Sequence, residues 1–330
     1  LADVGIIANP VSGKDIRRLV AYGSVFDNQE KVRIVRRLLI GLEAVGTRRV
    51  FYMPDSYAIV ERARRGCAVS MDVVPVPMRL RDTQDDSTEA ARWMASHDVG
   101  CLIVLGGDGT CRAAAKGSRE IPMLALSTGT NNVFPSLMEA TVGGIAAGLT
   151  ASGRISLEKA CTRSSCLEIV GDDGVLDLAL VDVAAVRGGF VGSKALWDVE
   201  PISELFFSRC SPESIGLSAV GGQIMTIHPE DPLGLHLVLG PGGFQVTAPI
   251  APGLVRRVSV NRCETMAPET PLPLGPGSHI LALDGEREVE LKDPSRISVR
   301  LSPHGPLVVC VSKVMGAAQD MGLFVERKRP

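Results

Sequence analysis

The chain has 330 residues, 45% hydrophobic and 22% charged, with a formal net charge of −2. That length suits about two globular domains with ample core. The balanced charge excludes a face-wide basic surface for nucleic acid or anionic membrane, and an aromatic content of only 4% argues against base stacking on exposed rings.

In chain order, Val4-Gly5-Ile6-Ile7-Ala8 reads as a short apolar strand that runs into the loop Asn9-Pro10-Val11-Ser12-Gly13-Lys14-Asp15. Gln29 to Val45 repeats apolar residues at Val32, Val35, Leu38, Leu39, Leu42 and Val45 and stops at Gly46, which predicts a helix. Arg49 to Met53 is a second strand. Ser56 to Arg65 is a basic amphipathic helix. Val69 to Val76 is a third strand, and Thr83 to Ser96 a helix behind an acidic cap. Cys101 to Leu105 and Met123 to Leu126 complete five strands. Strands separated by helices predict a parallel sheet with helices on both faces. Ligands bind such sheets at the carboxyl ends of the strands. The loops Asn9–Asp15, Gly106–Thr110 and Ser127–Asn132 all leave such ends, so they should meet in one crevice.

After about Thr150 the pattern changes to short apolar runs separated by Gly and Pro turns. These are Cys166–Val170, Leu178–Val183, Leu235–Leu239, Arg257–Val260, His279–Leu283 and Ile297–Leu301. They predict a mainly β domain. Val311 to Phe324 suits a final helix. The expected organisation is a three-layer α/β domain over 1–150, a mainly β domain over 151–310, and a segment 311–330 that packs back on the first domain.

The eight cysteines are Cys67, Cys101, Cys111, Cys161, Cys166, Cys210, Cys263 and Cys310. None forms a Cys-x-x-Cys pair, and several sit in apolar runs, which predicts reduced, buried thiols in a cytoplasmic protein without zinc. No stretch has membrane-spanning length and no signal peptide is apparent. The chain starts at Leu1 rather than Met, so a few upstream residues are expected to be missing.

The most informative motif is Gly106-Gly107-Asp108-Gly109-Thr110, between an apolar strand and a helix start. Glycines there let backbone approach a phosphate, with helix N–H groups aimed at the charge. An acid in that place suggests chemistry or metal binding beside phosphates, and a helix cap explains it as well. Arg112 occupies the third position of a dinucleotide fingerprint, which disfavours hydride transfer. Asn9-Pro10-Val11-Ser12-Gly13-Lys14 is not a Walker A loop, because Asp15 stands where Ser or Thr would bind magnesium. Its Gly-Lys could still hold phosphate. Thr128-Gly129-Thr130-Asn131-Asn132 offers hydroxyls and amides to a ribose, phosphate or base edge, or a cap to a following helix. The segment Ser211–Gly222 is rich in small residues; it could let a ligand lie flat against the backbone, and a plain loop explains it better. Asp284-Gly285-Glu286 is a favoured hairpin turn. No histidine has a spaced partner and no Gly-x-Ser-x-Gly elbow occurs, so hydrolase readings fall away.

Taken in order, the three loops resemble the superfamily of NAD kinases and diacylglycerol/sphingosine-type lipid kinases. Within it the chain most resembles the acetoin-catabolism group of ATP-NAD kinase-like proteins, clearly over the first 150 residues and more weakly beyond. The resemblance implies an ATP-dependent kinase with Mg²⁺, polyphosphate being the other donor. In NAD kinases the Gly-Gly-Asp-Gly turn cradles donor phosphates and its Asp takes the proton of the ribose 2′-hydroxyl, a role that would fall on Asp108. Asn9, Ser12, Gly13, Lys14, Gly106, Gly107, Gly109, Thr110, Thr128, Gly129, Thr130, Asn131 and Asn132 would hold phosphate or nucleotide. Asp182, Ser218, Gly221 and Gly222 would face the acceptor. Here the chain departs from the pattern: Val181 replaces an Asn, and the Thr-Pro-Thr-Gly-Ser-Thr-Ala-Tyr stretch survives only as Ser211-Pro212, without the Tyr. NAD is the first candidate acceptor. A non-catalytic nucleotide-binding regulator and a lipid kinase are the alternatives. Similar proteins also imply a homo-oligomer acting on small nucleotides, with no nucleic-acid or membrane partner. The Asp284-Gly285-Glu286 turn is similar to one near the active site of lipid kinases.

Overall fold

A computed structural model describes residues 3–12, 26–188, 199–291 and 293–325. The first half builds strands β1 (Asp3–Ala8), β2 (Arg49–Tyr52), β3 (Asp72–Pro75), β4 (Val99–Gly106) and β5 (Met123–Ser127), all parallel to their neighbours, in the order β3-β2-β1-β4-β5. Helices α1 (Asn28–Ala44), α2 (Ile59–Arg65), α3 (Gln84–Ala95), α4 (Asp108–Gly117) and α5 (Ala140–Ala151) cover both faces. Strand alternation divides them. Cys101, Ile103 and Leu105 of β4 enter one core with α1, α2 and α5, while Leu102 and Val104 enter the other with α3 and α4.

The second half adds α6 (Leu157–Ala160) and β6 (Cys161–Arg163), then β7 (Cys166–Gly171), β8 (Gly174–Ala179), β9 (Asp182–Arg187), β10 (Ile202–Phe207), α7 (Ser218–Gly222), β11 (Gly234–Ala251) and β12 (Leu254–Met266). It ends with β13 (Leu272–Pro273), β14 (Ser278–Leu283), β15 (Glu286–Glu290), β16 (Ser298–Ser302), β17 (Leu307–Val309) and α8 (Val311–Asp320). Two antiparallel sheets, β12-β11-β10-β9-β14-β15 and β13-β16-β7-β8, share a core of Leu167, Ile169, Phe206, Leu281, Val299 and Leu301. The protein is thus an α/β domain with a mixed, mostly parallel sheet joined to a strand-rich domain. The chain then returns. Strand β17 pairs parallel to β5 and antiparallel to β6, and Val314 and Ala318 of α8 enter the core shared by α1 and α5.

Several elements differ from the sequence reading, each for a local reason. The run Leu178–Val183 is not one strand; it breaks between β8 and β9, where a side chain distant in sequence captures the backbone N–H groups. Helix α2 starts at Ile59 rather than Ser56, because the Asp55 carboxylate accepts from the N–H groups of Tyr57 and Ile59, and Ala58 is left-handed. Strands β11 and β12 run far beyond Leu235–Leu239 and Arg257–Val260. A bulge absorbs Gly240–Gly243, since both Leu239 and Phe244 face Val260. The small-residue segment contains a short helix, and the last helix stops at Asp320.

The two domains are also tied by charge. Glu168 of β7 accepts from Arg119, just beyond α4, at 2.8 Å, and from Arg300 of β16. Burial raises the Glu168 carboxyl, but the hydrogen bonds from Arg300 and Arg119 outweigh it and leave the group below its ordinary 4.5. A depressed carboxyl stabilises the fold above its unfolded pKa, and that contribution is lost as pH falls through the folded value. Glu168→Gln should therefore cost about 1–3 kcal/mol at neutral pH, by leaving two guanidinium groups short of an acceptor, and should flatten the loss of stability below pH 4.5. Urea titrations of both proteins across that range test it; parallel acid limbs would refute the assignment.

Helices α1 and α5 cross at near backbone contact. A Cβ on Gly144 would stand 2.3 Å from the Leu38 carbonyl oxygen, whereas one on Gly316 of α8 would meet nothing within 4 Å. Gly144→Ala should destabilise by about 1–3 kcal/mol through overpacking. Gly316→Ala should stabilise by about 0.5–1 kcal/mol, because alanine loses less backbone entropy in a helix. Equal effects of the two substitutions in denaturant unfolding would contradict this packing.

Candidate functional site

Three loops close on one another at the carboxyl ends of β1, β4 and β5. The Asn9 side-chain amide donates to Thr110 Oγ1 at 2.9 Å, joining the first loop to α4. The Thr128 hydroxyl donates to Ser12 Oγ at 3.2 Å, joining the third loop to the first. The Ser12 hydroxyl in turn donates to the Asn9 carbonyl at 2.9 Å. Asn132 donates to Ser127 Oγ at 2.7 Å, and its Oδ1 lies so near Gly107 that a Cβ there would approach it to 2.7 Å. A side chain at Gly107 would push the Asn132 amide aside. Thr130 donates to Asn131 within the loop, which continues without a helix until α5. The cap expected of Thr130 or Asn131 is therefore not formed. Gly13 and Lys14 lie outside the described residues.

Asp108 is the first residue of α4, behind Gly107 at the cap position, and its side chain does not cap the helix. The carboxylate instead accepts from the backbone N–H groups of Val133, at 3.1 and 3.2 Å, and Phe134, at 2.7 Å. It thereby fastens the third loop to the glycine turn. Behind this contact lies Arg209, buried, with its guanidinium 4.7 Å from the centre of the Phe134 ring. Burial pulls the Arg209 pKa down to about 10, and the charges of Asp108 and Asp284 push back.

The Asp284-Gly285-Glu286 turn does form a hairpin, with both Asp284 and Gly285 at positive φ, 51° and 78°. It is also an anchor for the site. The fully buried Asp284 side chain accepts from the N–H groups of Leu180 (3.0 Å), Val181 (2.8 Å) and Asp182 (3.3 Å), and lies 3.8 Å from Arg112 Nε. Burial raises its carboxyl, against the charge of Arg112 and these donors. Arg112 belongs to α4, so the turn carrying Asp108 and the start of β9 share one buried ion pair. Glu286 reaches further. Gln84 Nε2 donates to its Oε2 at 2.7 Å, and a Cβ on Gly109 would meet its Oε1 at 3.3 Å. A second carboxylate thus stands at the first turn of α4.

Of the residues expected to face an acceptor, Asp182 begins β9 beside Asp284 and is buried. Ser218 and Gly222 pack against their own segment. The Ser218 hydroxyl donates to the Ile215 carbonyl at 3.3 Å, and a Cβ on Gly222 would lie 2.0 Å from the Ser211 carbonyl oxygen. Close packing of α7 accounts for both. Sequence reasoning missed Lys31, Arg209, Gln84 and the site role of Arg112. A charged residue inside the apolar stripe of α1 was the available signal for Lys31.

Asp284→Ala should cost about 3–5 kcal/mol, because it leaves three buried N–H groups without their acceptor and takes one of its carboxylates from the buried Arg112. Asp284→Asn should recover part of this, since its carbonyl accepts and Asn tolerates the left-handed backbone. Denaturant unfolding measures both. An alanine variant within about 1 kcal/mol of the parent would remove Asp284 from this role.

Comparison with known proteins agrees with this architecture. Residues 4–155 match the ATP-NAD kinase N-terminal domain, and residues 165–304 match the Acetoin catabolism protein X C-terminal domain. The chain is 38% identical over 317 residues to the acetoin catabolism protein X of Cupriavidus necator, covering 91% of this chain and 88% of that protein. With a kinase-type first domain followed by that second domain, the chain belongs to the acetoin catabolism protein X family of ATP-NAD kinase-like proteins.

Proposed function

We propose that the chain is a phosphotransferase of the NAD kinase type. It takes a phosphoryl group from ATP, or from polyphosphate, and passes it to a hydroxyl. The first candidate is the 2′-hydroxyl of the adenosine ribose in NAD. The observation that carries this reading is the closure of three loops, through Asn9–Thr110 and Thr128–Ser12, over the N-terminus of α4. Helix N–H groups and side-chain hydroxyls brought together there suit the charge that develops in phosphoryl transfer. In the step itself, the hydroxyl oxygen bonds to the terminal phosphorus. The bond from that phosphorus to its bridging oxygen breaks, and ADP leaves with the oxygen. The hydroxyl proton passes to a carboxylate, which this proposal takes to be Asp108.

Among the described residues, no group of three or more His, Cys, Asp or Glu side chains is placed to hold a metal ion. Mg²⁺ therefore enters this reading as the counter-ion of the donor phosphates, and no step runs through it. The eight unpaired thiols support a reducing, cytoplasmic setting. Among the described residues no helix is long and apolar enough to cross a membrane.

One observation favours a second reading. The Asp108 carboxylate is already a backbone tie, which suits a protein that binds nucleotide without turning it over. Labelled ATP with Mg²⁺, offered with NAD, NADH, nucleosides and diacylglycerol, separates the two. The phosphotransferase reading expects transfer to one acceptor, and a loss of about 100-fold or more in Asp108→Asn with ATP binding retained. Binding of ATP or NAD with no transfer across the panel would establish the second reading instead.

A further inference from the structure

Lys31 lies on the buried face of α1 with Asn28, Val32, Val35, Leu38, Leu39 and Leu42, a place where the helical stripe is otherwise almost wholly apolar. It is 0% exposed. A buried ammonium is costly unless its donors are satisfied. Here Nζ donates to three consecutive-loop carbonyls: Ser12 at 2.6 Å, Asn9 at 2.8 Å and Pro10 at 3.2 Å. Its charge also reaches Asp55, whose carboxyl burial raises and whose own N–H partners and Lys31 hold down. An ammonium placed under a loop, gathering its carbonyls inward, fixes the loop's outer face toward the crevice. Those same residues carry both links to the other two loops, through the Asn9 amide and Ser12 Oγ.

We infer that Lys31 is a positioning residue for the donor: it acts through the Asn9–Ser12 loop, holding it in the shape that meets the phosphates of ATP or polyphosphate. This rests on the phosphotransferase reading but makes a separate claim. Lysine suits the task where arginine does not, because a compact ammonium fans its donors to three carbonyls, whereas a planar fork presents them in one plane. Methionine keeps the stem's bulk and removes the donors.

The test compares the parent, Lys31→Met, Lys31→Arg and Lys159→Met, the last removing an equal charge from an exposed site on α6. Affinity for ATP is measured by calorimetry, and loop order by amide hydrogen exchange over residues 9–12. Lys31→Met and Lys31→Arg should each weaken ATP binding by about tenfold or more, in line with loss of a supporting contact behind a binding group. Exchange should rise over residues 9–12, with the cores of both domains as protected as in the parent. Lys159→Met should change neither. If the parent binds ATP and Lys31→Met binds it equally well, the inference is overturned. If exchange rises throughout the first domain, Lys31 is only a fold residue, which overturns it too. A parent that binds neither ATP nor polyphosphate, with the loop loosened as expected in Lys31→Met, would sink the phosphotransferase reading and leave Lys31 as the loop's anchor.

Discussion

The buried carboxylate of Asp284 is where the two domains become one site. It gathers the N–H groups of Leu180, Val181 and Asp182 and faces Arg112 at 3.8 Å. A carboxylate removed from water needs several donors and a cation, and here they come from opposite sides of the domain boundary. The N–H groups belong to the break between β8 and β9. The guanidinium belongs to the helix that starts at Asp108. Arg112 extends the link to Asp177 at 3.5 Å and to Gln84 at 3.3 Å, and Gln84 passes it on to Glu286. Glycine turn, hairpin turn and strand break are therefore fixed relative to one another by one connected polar network.

That network explains what could be read from the chain and what could not. The five parallel strands and the turns that leave β1, β4 and β5 were legible because each depends on a pattern within a few residues, an apolar run followed by a turn. Residues 178–183 looked like one strand for the same reason. Their apolar pattern is local, whereas the carboxylate that bends them is more than a hundred residues away. Lys31 hid in the α1 stripe, since periodicity counts faces and does not count loop carbonyls. The glycines of α7 invited a ligand reading because a missing side chain leaves room for either a ligand or a neighbouring group. At Gly222 the neighbour is the Ser211 carbonyl, and at Gly221 it is the Phe207 ring.

An acid beside the proposed phosphate site is a contradiction only while its charge is unmet. The Asp108 carboxylate is held by the N–H groups of Val133 and Phe134. Arg209, pressed against the Phe134 ring, adds a buried positive charge that both Asp108 and Asp284 feel. Lys31 supplies another beneath the first loop. Arg209 and the buried Arg112 thus oppose the Asp108 and Asp284 carboxylates, while Lys31 faces the carbonyls of the first loop. The acid's first task is structural, drawing the third loop onto the glycine turn. Under the proposed phosphotransferase reading, the group that would take a proton is already fixed in place, which is the condition under which a carboxylate serves as a base without reorganising.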